Sequence, residues 1–479
     1  MPAIQVNMIQ HAAALAEIAR IVGPAGVLAD ADAAPLLRDE RGLYRGAAAL
    51  VVRPSTVEQV AAVVRVCHDA RLGVVPQGGN TGYCGGATPF DGERQVLLSL
   101  SRLNRVREVD DVGFTMTAEA GVVLANAQSA AREHGLLLPL SMGSEGSAQI
   151  GGNLSTNAGG LAVLRYGTMR ELVLGLEVVL PNGEVLSALK GLRKDNTGYD
   201  LKAMFLGAEG TLGVITAAVL KLFPEPRSRQ TAWLAVASLD AACTLLGRAR
   251  RESGDQVVSA EYVSRRSLDL VLKHVAGARE PLEQPATHYL LLELASADDD
   301  AGLHAKLERV LAGGLASGEI LDGTIADSLA QRSALWMLRE RVPEAEKRDG
   351  GSVKHDVSVR IGRIAEFVAR AEPALAAVAP HRLSIYGHIG DGNLHFNVLP
   401  PAGQGIDEFR AEPGEALSTC VHDLAAELGG SFSAEHGVGI LKVHELERYQ
   451  LPTAVALMRA MKRALDPHGI MNPGKMLGR

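Results

Sequence analysis

The segment that decides the fold is PQGGNTGYCGG, residues Pro76–Gly86, which follows a short predicted strand. Glycine-rich turns expose backbone N–H groups that can hold a pyrophosphate. The spacing is not GxGxxG and no helix begins inside the segment, so a Rossmann fingerprint is not supported. Two more segments of this kind are MGSEGSAQIGGNLSTNAGG (Met142–Gly160) and DNTGYDLKAMFLGAEGTLGVIT (Asp195–Thr216). Glycine turns are common in α/β proteins, but three such segments together favour a large phosphate-containing cofactor.

The composition is that of an ordinary globular protein. The chain has 479 residues, 47% hydrophobic and 22% charged, with a formal net charge of −7. No basic block indicates nucleic-acid binding, no apolar run has the length of a membrane span, and the N-terminus does not resemble a signal peptide. The four cysteines are far apart and form no CxxC, which favours a reduced protein in the cytoplasm.

Three regions are expected along the chain. Residues 1–225 alternate predicted strands and helices, which indicates an α/β or α+β domain. Residues 226–425 read as strand, helix, strand, helix, which suits a substrate domain with helices on one side of a sheet. Residues 426–479 form a C-terminal segment. Ser55–Glu58 has capping-box spacing before a helix that Gly73 can end, and VPEAEKRDGG is expected to be an exposed loop.

A second informative stretch is YGHIGDGNLHFN, residues 386–397. Asp-Gly between β-prone runs predicts a hairpin. With Asp391 and Gly392 as the two loop residues, His388 lies directly opposite His395. Alternation then places Tyr386 and Asn397 on the histidine face, and Ile389, Leu394 and Phe396 on the core face. The histidines belong either to the solvated face of an ordinary hairpin or to one wall of a metal or proton-transfer site.

The three glycine segments resemble the flavin-binding half of the vanillyl-alcohol-oxidase type of flavoprotein. The match continues through YGTMRELVLGLEVVLPNGEV (Tyr166–Val185). The resemblance implies an α+β fold, in which a split FAD-binding domain of two α+β subdomains (1–225) is interrupted by an α+β cap domain (226–425). The C-terminal segment (426–479) returns to the flavin domain and completes the active site.

The resemblance also implies how FAD is held. Members with a covalently tethered flavin have a histidine after the paired glycines, where this chain has Asn80, so non-covalent FAD is expected. The implied cofactor contacts are Pro76, Gly78, Gly79, Asn80, Thr81, Gly82, Gly85, Ser144, Gly152, Asn153, Thr156, Asn157, Gly160, Glu209, Gly213, Ile215 and Asn472.

The second half resembles the branch of D-2-hydroxyglutarate and D-lactate dehydrogenases, through GHIGDGNLHFN and SAEHGVG (Ser433–Gly439). In its metal-dependent members these motifs bind a zinc-like ion, which implies His388, His395 and Glu435 as ligands here. Two imidazoles and a carboxylate are a common set for catalytic zinc, and they also accept manganese or cobalt.

The resemblance implies that His436 is the general base for the substrate hydroxyl, while a hydride passes to the flavin. Because Glu435 and His436 are adjacent, EHGVG must be a turn or loop if both face the site. Arg339 and Lys354 would bind carboxylates, and Asn397 would bind substrate or orient the metal shell. From the residues alone, Arg339 can also be a solvated helix charge.

The predicted activity is oxidation of a D-2-hydroxy acid, with D-2-hydroxyglutarate ahead of D-lactate and D-malate. Some hydroxyglutarate enzymes have a threonine where this chain has Pro343. Proline offers no hydroxyl, which weakens the preference for D-2-hydroxyglutarate over D-lactate and D-malate. Alternatives are a flavin oxidase that reduces oxygen, a metal hydrolase without flavin, and a non-catalytic flavin-binding subunit. The electron acceptor is expected to be an electron-transfer flavoprotein, a quinone or a cytochrome, and the resemblance implies a homodimer.

Overall fold

The computed structural model describes residues 2–299 and 302–478, with the backbone alone for residues 2–9. The chain separates into two compact units. The first unit comprises Met1–Gly160, Gly167–Glu225 and Glu435–Arg479, and the second comprises Leu161–Tyr166 and Pro226–Ala434. The second unit therefore continues beyond residue 425. The reason is local pairing, since Ser431 and Ser433 form β-bridges with Ser358 and Asp356.

The α-helices, numbered in chain order, are α1 (Pro2–Val22), α2 (Asp30–Ala33), α3 (Val57–Ala70), α4 (Leu124–Glu133), α5 (Ile150–Ser155), α6 (Val163–Tyr166), α7 (Met169–Leu172), α8 (Lys202–Phe205), α9 (Leu239–Ser253), α10 (Arg265–His274), α11 (Gly302–Ala316), α12 (Leu329–Glu340), α13 (Val342–Arg348), α14 (Ile364–Val378), α15 (Ile406–Ala411), α16 (Gly414–Glu427), α17 (Val443–Tyr449) and α18 (Pro452–Leu465).

The strands are β1 (Ala47–Val52), β2 (Gly73–Gln77), β3 (Phe90–Ser99), β4 (Val106–Asp110), β5 (Thr115–Glu119), β6 (Leu136–Leu137), β7 (Val173–Val179), β8 (Val185–Ala188), β9 (Val214–Lys221), β10 (Phe223–Pro224), β11 (Ser228–Val236), β12 (Val257–Ser264), β13 (His288–Ser296), β14 (Ile320–Ile325), β15 (Asp356–Ser358), β16 (Arg382–His388) and β17 (Asn393–Leu399).

The first unit contains a parallel sheet of order β1-β3-β2, on which α3 packs. The cap of α3 is one residue later than predicted, because the Thr56 side chain accepts a hydrogen bond from the Gln59 N–H. The Gln59 side chain in turn accepts one from the Ser55 N–H at 2.8 Å. The helix ends at Arg71, in the left-handed region with φ 55°, and Gly73 instead begins β2.

A second sheet of the first unit has the order β4-β5-β9-β7-β8, and all its neighbours are antiparallel. Its middle strands, β9 (VITAAVLK) and β7 (VLGLEVV), are almost wholly buried, as their high content of Val, Leu, Ile and Ala favours. Helices together with one parallel and one antiparallel sheet in this unit confirm the predicted α+β class.

The second unit is built on an antiparallel sheet of seven described strands, in the order β14-β11-β13-β12-β16-β17-β15. Alternate residues of β13 enter different cores: Leu290 and Leu292 pack with α9, α11, α14 and α16, and Leu291 packs with α10, α12 and α13. The prediction of helices on one side is therefore wrong. The apolar run YLLL at the start of β13 reflects burial of both faces.

Three basic side chains surround the carboxylate of Asp349, which follows α13 and has a side chain that is 4% exposed. Lys273 Nζ and His274 Nε2 each lie 2.7 Å from its carboxylate, and Arg382 Nη1 lies 2.6 Å away. Burial raises the pKa of the Asp349 carboxyl, but these hydrogen bonds outweigh it and hold the pKa well below its usual range. The ionised carboxylate therefore stabilises the fold.

We expect Asp349→Asn to lower the free energy of unfolding at pH 7 by about 1–3 kcal/mol, as for loss of a charged hydrogen-bond acceptor. A depressed pKa gives stability above the unfolded value of 3.8, and that stability is lost as pH falls further. The difference from the parent protein should therefore shrink below pH 3.8. Urea unfolding at several pH values measures this, with the exposed Glu283→Gln as control. Equal midpoints at pH 7 would contradict it.

Candidate functional site

A cleft of about 520 Å³ lies in the first unit where the first two glycine segments meet. It is lined by Arg53, Gly78, Gly79, Ser99, Ser147 and Gln149, among others. A Cβ on Gly79 would lie 2.1 Å from the Ser147 oxygen, and one on Gly78 would lie 3.3 Å from the Gly152 nitrogen. The two segments approach backbone to backbone, which only glycine permits there.

Several buried polar atoms in this region have no hydrogen-bond partner among the described residues. Arg53 Nε and Gln149 Oε1 belong to residues that line the cleft, and Asn153 Nδ2 lies one turn after Gln149. Buried polar atoms are rarely left unsatisfied in folded proteins, so each indicates a missing partner. A polar ligand in the cleft accounts for them. Asn153 was among the predicted contacts, whereas Arg53 and Gln149 were not.

Other predicted cofactor residues use their side chains within the protein. Asn80 Nδ2 donates to the Arg38 carbonyl at 2.7 Å, and Thr156 Oγ1 donates to the Gly152 carbonyl at 3.0 Å. Asn157 Oδ1 accepts from the backbone N–H of Arg170 at 2.9 Å. The remaining predicted positions are Pro76 on β2, Thr81, Gly82 and Gly85 in the loop after it, Ser144 before α5, Gly160 after it, and Gly213 and Ile215 at the start of β9.

Glu209 and Asn472 hold loops of the first unit together, and both have a left-handed backbone with φ of 50° and 42°. The half-buried Glu209 carboxylate accepts hydrogen bonds from the backbone N–H groups of Val438 and Gly439, each at 2.7 Å. Asn472 Nδ2 donates to the carbonyls of Gly86 at 2.9 Å and Glu209 at 2.7 Å. Both side chains therefore form hydrogen bonds with backbone groups of the protein.

The segment held by Glu209 carries His436. Residues 435–438 form bends and irregular backbone, which confirms that EHGVG is not a strand. Gly437 has φ 73°, and a Cβ there would lie 2.7 Å from Glu209 Oε1. The His436 ring meets the Tyr83 ring edge to face at 4.8 Å. Tyr83 lies in the first glycine segment and was missed, because nothing in the sequence links it to His436.

We expect Glu209→Ala to leave the Val438 and Gly439 N–H groups without their acceptor, at about 1–3 kcal/mol for each buried group. Glu209→Gln keeps one acceptor oxygen, so it should have an intermediate effect. Thermal unfolding measures both, with the exposed Glu93→Ala as control. A melting temperature of Glu209→Ala equal to that of Glu93→Ala would show that the carboxylate does not support this segment.

In the second unit, the hairpin of β16 and β17 has a different register from the predicted one. Tyr386, and not His388, lies directly opposite His395, and Ser384 lies opposite Asn397. The connection runs from residue 389 to 392 instead of using two residues. The reason is that Gly387 is distorted, with φ 151°, and the Asp391 N–H bonds to the His388 carbonyl at 3.2 Å.

The error is two residues, so every side chain keeps its predicted face. The His388 and His395 rings lie diagonally across the hairpin, with centroids 5.5 Å apart. Tyr386 packs against His395 at 4.9 Å. The predicted core residues Ile389, Leu394 and Phe396 are fully buried in the apolar core, which confirms that part of the prediction. His388 is also buried, which excludes a solvated face at that position.

His388 is oriented by Glu261, which lies directly opposite it on β12. Glu261 Oε1 is 2.8 Å from His388 Nδ1. A carboxylate partner at Nδ1 fixes the tautomer and the orientation of the imidazole ring, as it does for metal-binding histidines. Burial raises the pKa of the Glu261 carboxyl, but His388 and Arg339 outweigh it and lower the pKa to about 2.

Arg339, on the last turn of α12, is 5% exposed, so it is not a solvated helix charge. Its Nε donates to Glu261 Oε2 at 2.7 Å, and its guanidinium lies 4.8 Å from the centre of the Tyr386 ring. Among the described residues it donates only this one hydrogen bond, which leaves its terminal N–H groups for a ligand.

Glu346 organises the other predicted anion-binding residues. It lies fully buried in α13, so VPEAEKR is a helix and not an exposed loop. Lys354 Nζ donates to it at 3.1 Å, and Asn397 Nδ2 donates to both of its oxygens at 3.0 Å. Asn397 Oδ1 accepts the His355 N–H at 3.2 Å. Both polar ends of Asn397 are thus engaged, which favours a positioning role over substrate contact.

Glu261 and Glu346 were missed by the sequence prediction. Glu261 is a lone charge in an otherwise uncharged run, VVSAEYVS, and a charge in a buried strand requires a partner. That signal points to a buried ion pair without identifying the partner. Glu346 had no usable signal, because the residues around it are mostly charged.

The second unit ends beside His395. Asp356 lies directly opposite His395 on β15, and its carbonyl accepts the Ala434 N–H at 3.1 Å. Glu435 follows Ala434 in the chain.

Comparison with known proteins gives two family matches. Residues 225–476 match "FAD linked oxidases, C-terminal domain", and residues 48–188 match "FAD binding domain". The chain is 38% identical over 435 residues to D-2-hydroxyglutarate dehydrogenase, mitochondrial, of Arabidopsis thaliana, covering 91% of this chain and 76% of that protein. It is 41% identical over 468 residues to the Bos taurus protein of the same name, covering 97% and 83%.

Among solved structures, p-cresol methylhydroxylase with substrate bound superposes with a TM-score of 0.76 at 18% identity. The superposition covers 98% of this chain and 97% of that chain, and it shows a shared fold. Together with the two family matches and the relatives above, this shared fold confirms the predicted resemblance to vanillyl-alcohol-oxidase-type flavoproteins.

The expected cytoplasmic location is wrong by these comparisons, since the plant, cattle and rat relatives are named as mitochondrial. Cysteine chemistry and composition did not distinguish the two compartments. None of the four cysteines, all of which lie in the described part of the chain, forms a disulfide. In the described part of the chain, no helix is both long and apolar enough for a membrane span.

Proposed function

The chain belongs to the FAD linked oxidases, and on that premise we propose that it oxidises D-2-hydroxyglutarate to the 2-oxo acid. Identity of 38–41% along more than nine-tenths of the chain to two proteins named for this substrate is the observation that carries the proposal. A metal hydrolase without flavin leaves the match to an FAD binding domain unexplained.

FAD fits the first unit, and non-covalent binding remains our proposal because Asn80 stands where a tethering histidine is expected. The close backbone approach of Gly78 and Gly79 and the unsatisfied Arg53 Nε and Gln149 Oε1 support a polar ligand in the cleft. When bound, FAD supplies the hydride acceptor of the reaction.

We propose that His388, His395 and Glu435 bind a divalent cation, with Zn²⁺ as the first candidate. Two observations support a fit: Glu261 bonds to Nδ1 of His388, a partner typical of metal-binding histidines, and Ala434, bonded beside His395, immediately precedes Glu435. When bound, the cation supplies Lewis-acid stabilisation of the ionised substrate hydroxyl.

The chain's own residues then bind the substrate and move a proton. D-2-hydroxyglutarate carries two carboxylates, and Arg339 and Lys354 offer two cations, each held by a buried carboxylate. His436 accepts the hydroxyl proton at a ring nitrogen. Pro343 lies in the first turn of α13, a position that suits proline but donates no hydrogen bond. Lys354 is therefore our candidate for the second carboxylate.

We expect His388→Ala and Glu435→Ala to retain FAD and to lose turnover by more than about 100-fold, because each removes a proposed ligand of the Lewis acid. Absorbance near 450 nm reports FAD, and reduction of an artificial acceptor reports turnover. His304→Ala, an exposed histidine, is the matched control. Full activity of His388→Ala after chelation and dialysis would rule out the metal assignment.

The substrate is tested by anaerobic bleaching of the flavin with D-2-hydroxyglutarate, D-lactate and D-malate, their L-enantiomers, and each with and without EDTA. We expect D-2-hydroxyglutarate to bleach fastest, and EDTA to abolish bleaching. Faster bleaching by D-lactate or D-malate would replace the proposed substrate. A yellow, folded protein bleached by none of these acids would favour a non-catalytic subunit.

For the electron acceptor we propose an electron-transfer flavoprotein, with a quinone as the alternative. Reoxidation of the substrate-reduced protein by each purified acceptor without oxygen separates the two, and fast reoxidation by oxygen alone would indicate an oxidase.

A further inference from the structure

The buried carboxylate of Glu261 contacts two residues that have different roles in the proposed function: His388 as a metal ligand and Arg339 as a substrate-binding cation. Its Oε1 is 2.8 Å from Nδ1 of His388, and its Oε2 is 2.7 Å from Nε of Arg339. Ser259 Oγ adds a contact to Oε1 at 3.2 Å. The Glu261 side chain is 1% exposed, so bulk solvent has almost no access to these bonds.

Arg339 is also linked indirectly to His395, because both residues pack on the ring of Tyr386. Its guanidinium lies 4.8 Å from the Tyr386 ring centre, and Tyr386 packs on His395 at 4.9 Å. The arrangement is a closed set of contacts: Glu261 bonds to His388 and Arg339, Arg339 stacks on Tyr386, and Tyr386 borders His395. A shift of Arg339 therefore disturbs the supports of both histidines.

The same helix and sheet contain a second buried carboxylate, Glu293, that is also paired with an arginine of α12. Arg332, Trp336 and Arg339 share one face of α12 at helical spacing. Arg332 and Trp336 donate to Glu293 on β13 at 2.8 Å, and Glu293 is as buried as Glu261. Glu293 has no histidine among its partners in the described part of the chain. The fold thus provides an internal control.

We propose that Glu261 is a positioning residue that fixes His388 for metal binding and couples that histidine to Arg339. Metal affinity then depends on Arg339 although Arg339 is not a ligand. This inference rests on the metal assignment of the proposed function. Its physical basis is the hydrogen-bonding capacity of a carboxylate. The two oxygens accept hydrogen bonds from two donors at once, whereas an amide offers one acceptor oxygen and one NH₂ donor.

The experiment is a Zn²⁺ titration of full-length, FAD-loaded, metal-stripped protein against a chromophoric chelator, without substrate. Two variants test the coupling, Glu261→Gln and Arg339→Lys. Two matched variants change the neighbouring pair in the same way, Glu293→Gln and Arg332→Lys. Thermal unfolding of all four separates loss of fold from loss of metal affinity.

We expect Glu261→Gln to weaken Zn²⁺ binding by about 10- to 100-fold, the usual effect of losing a partner of a metal-binding histidine. Arg339→Lys keeps the charge but lacks the Nε–H, so it should weaken binding several-fold. Glu293→Gln and Arg332→Lys should lower thermal stability and leave Zn²⁺ affinity unchanged.

Equal Zn²⁺ affinity in Glu261→Gln and the parent, or an equal loss in Glu293→Gln, would overturn the inference while leaving the metal assignment intact. Failure of the parent protein to bind Zn²⁺ would instead overturn the metal assignment of the proposed function, and the inference with it. If Glu261→Gln does not yield folded protein, the comparison of Arg339→Lys with Arg332→Lys decides, and equal affinities there overturn the inference.

Discussion

Burial of carboxylates in the second unit is the constraint on which the candidate site depends. The seven-stranded sheet is covered on both faces, so a charge on its strands must be neutralised by a partner inside the protein. Glu261 is paired with Arg339, Glu293 with Arg332, and Glu346 with Lys354. These ion pairs fix the register of α12 and α13 against the sheet, because a turn of either helix would leave a charge unpaired.

That constraint has a chemical consequence. Arg339 and Lys354 are preorganised by buried carboxylates, so the substrate anion that we propose for them would bind without the cost of ordering two long side chains. The same carboxylates engage β16 and β17, since Glu261 bonds to His388 and Glu346 bonds to Asn397. The contacts that neutralise the buried carboxylates are therefore also the contacts that position the residues of the proposed site.

The first unit uses polar side chains for a related purpose. Glycine segments have little side-chain packing of their own, and Glu209 and Asn472 connect them through backbone hydrogen bonds. Several residues that the family resemblance assigns to the cofactor, such as Asn80 and Asn157, also bond to the backbone. Their side chains shape the loops, and the loops expose backbone groups to the cleft.

The sequence by itself determined the α+β class, the glycine segments, the hairpin and the face of each hairpin residue, because strand alternation and turn chemistry are local properties. It missed the two-residue register shift at Gly387, which depends on neighbouring strands, and the helices on the second face of the sheet. Only the tertiary structure brought Glu261 to His388 and Arg339, from positions 261, 388 and 339. Pairing between distant residues follows from how strands are ordered in a sheet, and no local pattern in the chain encodes that order.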